Sequence, residues 1–311
     1  MILTYHPFQN EDDYWRVRQF LRETYLLNQR QELNWQVFRL DYWRWHINEN
    51  LVQRPLSEAI YLWETPRGEL AAVLNSDGRG EGVLQIHPAW ASPELEAEMI
   101  AVAEERLSQT KEDGTRSLLT WVDSRNTSRQ TLLAARGFTK GDWPEHQRYR
   151  TLDEPIPAPV LPRGYTIRAL GEGLELLERC YASGLAFHPN ELDIALDNRR
   201  DVTWYRNIQT APLYRRDLDL VALDPEGAVA AFTTIWFDDM TRTGSFEPVG
   251  TVPAYQRRGI GKAIMFAGLH RLKKIGATQA RVGSYSEAAG ALYASAGFIA
   301  YELSEPWTKV W

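Results

Sequence analysis

The residues best suited to chemistry in this chain stand at Gln256-Arg257-Arg258-Gly259-Ile260-Gly261-Lys262. They follow an extended-looking stretch, Phe246-Glu247-Pro248-Val249-Gly250-Thr251-Val252. They open a segment whose apolar residues Ile260, Ile264, Met265, Leu269 and Leu272 recur at helical spacing. A strand that turns through glycine into a helix leaves the first helical N–H groups without partners and presents the positive end of the helix dipole. Such a junction binds anions, phosphates above all. Gly259 and Gly261 have no Cβ, so a phosphate can approach the backbone. Arg257 and Arg258 add donors suited to phosphate. From Gln256 to Lys274 there are six cations (Arg257, Arg258, Lys262, Arg271, Lys273 and Lys274) and no acid. The competing reading of the loop alone is a plain turn with a solvated basic helix face.

The elements that must position this loop form a pattern that occurs twice. The chain has 311 residues, enough for about two domains. Pro155-Ile156-Pro157-Ala158-Pro159-Val160-Leu161-Pro162 admits neither helix nor central strand and is expected to be an extended linker. It implies domains at 1–151 and 164–311 joined by 152–163. His87-Pro88-Ala89-Trp90 resembles Val252-Pro253-Ala254-Tyr255, and each is followed by a long helical pattern, a strand, a short helix and a Gly-Phe pair (Gly137-Phe138; Gly297-Phe298). The repeated order argues duplication. Each half is expected to begin with a strand (Thr4–Pro7; Tyr165–Arg168) and then helices (Asp12–Leu27 and Asn34–Ile47; Leu174–Leu185 and Leu192–Asn207). Alternating strands follow (Ala59–Glu64, Glu69–Asn75 and Val83–His87; Asp219–Leu223, Ala228–Phe237 and Thr243–Val252), and each half closes on a final strand of its own. Strands mixed with helices in this way imply an α/β (α+β) layer architecture.

Duplication supplies an internal control. Aligning Pro88 with Pro253 sets Ala91-Ser92-Pro93-Glu94-Leu95-Glu96 against Gln256–Gly261, so glutamates replace both glycines and both arginines are lost. A carboxylate ~5 Å from a phosphate charge costs ~3 kcal/mol at an effective dielectric of 20. Ser92 before Pro93 makes a capped helix start instead. The first copy keeps its fold signals and loses the cradle.

Composition narrows the rest. With 44% hydrophobic and 24% charged residues the chain reads as a soluble globular protein, and the net charge of −6 lacks the basic footprint of a nucleic-acid binder. The start of the sequence lacks a signal-peptide pattern and no apolar run reaches membrane-spanning length, so a cytoplasmic setting without membrane partners is expected. The single cysteine, Cys180, lies in a helical pattern and reads as a buried structural thiol rather than a nucleophile. The histidines show no metal-ligand spacing, so no metal is expected. His188 reads as a surface-loop residue, with an acceptor-pocket role as the alternative. Trp35, Trp43, Trp45 and His46 read as core or an interdomain face rather than a base-stacking platform.

Gln-x-x-Gly-x-Gly at the strand–helix junction, with Leu292-Tyr293-Ala294-Ser295-Ala296-Gly297-Phe298 about 40 residues downstream, resembles the GNAT superfamily of acyltransferases. The resemblance covers Tyr165 to the C-terminus and, as a degenerate copy, about 4–150. A tandem pair with one working half is similar to the architecture of the mycothiol synthase group, a likeness that does not extend to substrate. The resemblance implies two tandem domains, each a mixed, mostly antiparallel splayed sheet flanked by helices. It implies acetyl-CoA as co-substrate, its pantetheine arm pairing with the backbone of Val249, Gly250 and Thr251 and its pyrophosphate on Arg257, Arg258, Gly259, Ile260, Gly261 and Lys262, beside Gln256. Tyr293 matches the family's thiolate acid, and its counterpart in the first half is Leu133. Glu247, beside the expected thioester, is the candidate base. Ser286 stands where the family often has an Asn, a departure that puts that contact with CoA in question, whereas Asn126 of the first half is expected to be a helix cap. The implied activity is acetyl transfer to a primary amine of a small molecule or peptide. A non-catalytic acyl-CoA sensor and an interaction scaffold are the alternatives.

Overall fold

The computed structural model describes residues 3–311. In chain order the elements are β1 (Thr4–Pro7), α1 (Glu11–Leu27), α2 (Val37–Tyr42) continuing as a π-helix over Trp43–Val52, α3 (Leu56–Ala59), β2 (Ile60–Glu64), β3 (Leu70–Ser76), β4 (Gly82–Ile86), α4 (Pro93–Arg106), β5 (Gln109–Thr110), β6 (Arg116–Asp123), α5 (Thr127–Ala135), β7 (Thr139–Lys140) and β8 (Glu145–Thr151). Then come β9 (Thr166–Ala169), α6 (Leu174–Phe187), α7 (Leu192–Asn198), α8 (Thr203–Gln209), β10 (Asp219–Leu223), β11 (Val229–Asp238), β12 (Thr243–Thr251), α9 (Ile260–Lys274), β13 (Gln279–Ser284), α10 (Glu287–Ser295) and β14 (Ala300–Val310).

The chain divides into two compact units, 1–146 with 302–311, and 147–301. These boundaries differ from the expected 1–151 and 164–311, because strand pairing rather than chain order decides membership. In the first unit β1-β2-β3-β4 form an antiparallel sheet, and β6 lies between β5 and β14. The strand that closes this unit is therefore the last one of the sequence, Ser304–Val310 pairing antiparallel with Ser117–Asp123. The second unit runs β8-β13-β12-β11-β10-β9, so its β13 neighbour comes from 147–151, upstream of everything else in that unit.

Period-two alternation places Tyr61 and Trp63, Ala72 and Leu74, and Leu84 and Ile86 on one face, covered by Leu95, Met99 and Ala103 of α4. In the second unit Leu220, Ala222, Ile235, Phe237 and Phe246 meet Ile260, Ile264, Met265, Leu269 and Leu272 of α9, the helical stripe that the sequence pattern predicts. The Pro-rich segment is extended as expected, but it is not a free tether: Ile156 and Leu161 pack on this core, and the Pro157 carbonyl lies 3.1 Å from His270 Nε2. The helix expected over 192–207 is broken into α7 and α8. Asp201 accepts the Thr203 N–H at 2.8 Å, a local bond that starts the second helix afresh.

Candidate active site

The site begins with a strand that loses its neighbour. β12 pairs with β13 in parallel only over Thr243–Ser245. Beyond Ser245 the two strands part, at the place where the β11–β12 register also shifts, between Thr233 and Ile235. After the shift β12 remains on β11 through Val249↔Thr233, Gly250↔Phe232 and Thr251↔Ala231. The Val252 N–H bonds the Ala230 carbonyl at 3.0 Å. An antiparallel ladder alternates bonded and unbonded pairs, so Gly250 is paired with Phe232 while the N–H and C=O of Val249 and Thr251 turn to the edge that β13 has left. Of the three backbone positions expected to meet a pantetheine arm, two face the gap and Gly250 does not. Gly250 has another task. A Cβ there would stand 2.1 Å from Phe232 Cζ, so the missing side chain admits that ring against the strand.

The Trp236 indole N–H donates to the Glu247 carbonyl at 2.6 Å and holds the strand at the point of divergence. This contact was not legible in the sequence. Glu247 is half-buried. Tyr293, on α10, is 6% exposed and sits in the core with Phe298. Burial pushes its phenol well above the ordinary value, and the neighbouring Glu247 charge pushes it further. The structure therefore brings together the two residues expected to handle protons, and it keeps the phenol in the protonated form that a donor requires.

At its far end the free edge runs into the glycine loop. Arg257 and Gly259 have positive φ (63° and 81°), and Gly259 caps α9 with no side-chain bond to the first helical amides. A Cβ on Gly259 would meet nothing within 4 Å, so the space beside this residue is open. Gly261 differs from its expected role: a Cβ there would lie 3.0 Å from Thr251 Oγ1 and 3.4 Å from Leu292. Its smallness lets the helix start pack against β12 and α10. Gln256 Nε2 donates to the Thr251 carbonyl at 3.1 Å, tying the loop to the strand end. Arg257, Arg258 and Lys262 are exposed. Arg258 Nη1 reaches the Tyr165 hydroxyl at 3.3 Å, and Lys262 lies over the Phe266 ring. Ser286 caps α10 by accepting the Ala289 N–H at 3.2 Å, so its hydroxyl already has a structural use.

The first unit has the same opening and fills it. β4 and β6 form no ladder among the described residues; just before β4, Glu81 makes an isolated parallel bridge with Leu119 of β6. The His87 N–H bonds the Ala71 carbonyl, so Ile86, the counterpart of Thr251, faces the gap. There the Asn34 side chain accepts from the Ile86 N–H and donates to its carbonyl, both at 2.9 Å, acting as a one-residue strand. Gln85 Oε1 accepts the Trp35 N–H at 2.7 Å. At the helix start Ser92 accepts the Leu95 N–H, and Glu96 is bound by Arg129 at 2.9 Å. Leu133 is fully buried, and Asn126 caps α5 as expected.

The remaining sequence expectations fall as follows. Cys180 is buried, and burial pushes its thiol up to about 12. Trp35 and Trp43 are buried core residues. His188 is exposed beside Glu191 at 3.5 Å. Among the described residues no helix is long and apolar enough to cross a membrane.

Residues 178–298 match the sequence model of the acetyltransferase (GNAT) family. The mycothiol acetyltransferase of Salinispora arenicola (strain CNS-205) is 29% identical over 198 residues, 58% of this chain and 59% of that protein. The mycothiol acetyltransferase of Streptomyces scabiei (strain 87.22) is 31% identical over 164 residues, 50% of each. The match thus spans between half and three-fifths of these relatives' length. Among solved structures, a GCN5-related N-acetyltransferase from Sphaerobacter thermophilus is similar with a TM-score of 0.64 at 17% identity, over 99% of this chain and 95% of that one. A tandem GNAT protein from the clavulanic acid biosynthesis pathway gives 0.65 at 14% identity, over 99% and 98%. At such identities the likeness concerns the fold.

Proposed function

We propose, from the match of residues 178–298 to the acetyltransferase (GNAT) family, that this chain transfers the acetyl group of acetyl-CoA directly to a primary amine of a small molecule or peptide, at a site in its C-terminal half. One observation carries the reading: a strand edge that turns the N–H and C=O of Val249 and the N–H of Thr251 away from β11, with the Thr251 carbonyl held by Gln256, runs straight into an uncapped helix start flanked by two arginines.

The free edge pairs with the pantetheine amides, and the amides of α9, with Arg257, Arg258 and Lys262, hold the pyrophosphate. The Val249 N–H donates to the thioester carbonyl oxygen, where negative charge grows during attack. An amine near pKa ~10.4 arrives protonated, and Glu247 takes that proton directly or through a water. The departing CoA thiolate, near pKa ~8.5, takes a proton from the Tyr293 phenol. The first unit, its edge closed by Asn34 and its helix start occupied by glutamates, serves as a degenerate partner that does not bind CoA.

A Tyr293→Phe variant tests the chemistry. CoA release with a library of amines is expected to fall by ~10²–10⁴ in kcat, with the Kd for CoA unchanged. Unaltered turnover would remove Tyr293 from the mechanism. CoA binding without turnover of any amine would favour a sensing protein instead.

A further inference from the structure

We propose that Arg179 receives a carboxylate of the acceptor, so that the favoured substrates are amines that also carry a carboxylate group. This rests on the acetyl-transfer reading and names the substrate class of the same site.

α6 buries a stripe made of Leu176, Arg179, Cys180, Ser183 and Gly184. The spacing is that of an ordinary apolar face, and a full positive charge stands in its middle. Arg179 is 0% exposed, and its Nε, Nη1 and Nη2 are all buried without a hydrogen-bond partner. A guanidinium in that state is costly, because buried charges are normally paired and hydrogen-bonded.

The neighbours account for its position but not for its donors. The Arg179 Cζ lies 3.6 Å from the centroid of Phe232 and 4.9 Å from that of Tyr205. Stacking uses the faces of the guanidinium, whereas its N–H groups radiate in its plane. The nearby buried carboxylate is Asp219, whose oxygens face three hydroxyls. Oδ2 accepts from the hydroxyls of Tyr205 at 2.8 Å and Tyr214 at 2.7 Å, and Oδ1 from Thr234 at 3.4 Å. Asp219 supplies opposite charge at a distance and leaves the Arg179 donors unmet.

These donors adjoin the acyl site through one ring. Phe232 is the β11 residue opposite Gly250, and its Cζ occupies the place of the missing Gly250 Cβ, between Val249 and Thr251. On the outer side Phe187, 49% exposed, lies edge-on to the same ring at 5.9 Å. Binding at the guanidinium requires a route from solvent along Phe232, with Phe187 moving aside. A molecule whose amine reaches the Val249–Thr251 edge then has its other end at Arg179. A carboxylate suits that end best, since two parallel N–H···O bonds match the guanidinium fork. An amide offers one oxygen and turns its own N–H donors against those that remain.

The test compares matched acceptors on the full chain: amino acids, their carboxamides and the corresponding amines lacking the group. Acetyl-CoA binding, followed by thermal shift, reports separately on the proposed function. The wild type is expected to prefer the carboxylates by about 100-fold or more in kcat/KM, and to gain melting temperature from them in the presence of CoA. Arg179→Met should abolish that preference while binding CoA unchanged. Wild-type turnover indifferent to the carboxylate, or a preference that survives Arg179→Met, overturns the assignment. If Arg179→Met does not fold, the wild-type thermal shifts decide: stabilisation by amino acids and not by their carboxamides supports it, and equal shifts refute it. Absence of turnover with every amine would count against the acetyl-transfer reading, with the thermal shifts still deciding on Arg179.

Discussion

Grafting onto the second unit the residue its sibling carries separates the charge argument from the backbone argument. Gly259 aligns with Glu94, and the graft is Gly259→Glu, with Gly259→Ala as control. Both variants place a Cβ at φ 81° in open space, so both carry the same left-handed strain of roughly 1–2 kcal/mol. The carboxylate at a helix N-terminus recovers about 0.3–1 kcal/mol of that. Gly259→Glu should therefore melt no lower than Gly259→Ala. Binding should move the other way. A carboxylate about 5 Å from one phosphate charge costs between ~0.8 kcal/mol at a dielectric of 80 and ~3.3 at 20. The exposed loop lies between these limits, which predicts a Kd for CoA ~4-fold to ~250-fold weaker than in the alanine variant. Titration calorimetry at 0.05 and 0.5 M salt reads both the ratio and its screening, since the Debye length drops below ~5 Å at the higher salt. A glutamate variant that binds as tightly as the alanine variant at low salt would falsify the placement of the diphosphate at this helix start.

Two further outcomes are expected. Burial raises the Cys180 thiol from 9.0 to about 12, so the unfolded chain loses this proton first. The thiol's contribution is complete below pH 9 and declines as pH rises toward 12, by ~1.4 kcal/mol per unit. Urea unfolding at pH 8, 9 and 10 should show a loss between pH 8 and 10 that is larger in the wild type than in Cys180→Ala by about 1.4 kcal/mol, the buried tyrosines contributing equally to both, and equal losses would contradict the burial. In the first unit, Asn34→Ala leaves the Ile86 N–H and C=O unpaired. It is expected to cost that unit about 2–4 kcal/mol in urea unfolding followed by tryptophan fluorescence, with CoA binding unchanged. Unaltered unfolding would show that the edge needs no seal.

What could be recognised in the sequence was whatever local chemistry dictates. The glycine loop, the apolar stripe of α9 and the Ser92 cap all follow from neighbours a few residues apart, and each stands where the pattern puts it. Glu247 lies near enough to Tyr293 for its charge to raise the phenol. Roles set by distant partners were not legible. Gly261 is small because of Leu292 and Thr251, and Gly250 because of Phe232, so their glycines carried a different message from the one read. Asn34 gave no sign that it would act as a strand for Ile86, 52 positions away. Arg179 did leave a trace, a cation in an apolar stripe, but only its empty surroundings give that trace meaning. Strand membership was the least accessible feature, because alternation in 300–310 defines a strand without naming the one it joins.

That last pairing reverses the order in which the halves mature during synthesis. The residues of 1–146 emerge first, yet the β6 edge over Ser117–Asp123 stays without its partner until 304–310 have been made. At ~5–20 residues per second the ribosome needs about 8–30 s to traverse the intervening unit. All that time an eight-residue strand offers its open side to any passing chain. The second unit, begun later, has β8 to β13 as soon as β13 has emerged, and its core then waits only for α10 and Phe298. A gene divided at the Pro-rich segment would strand both products, one lacking β14 and the other β8.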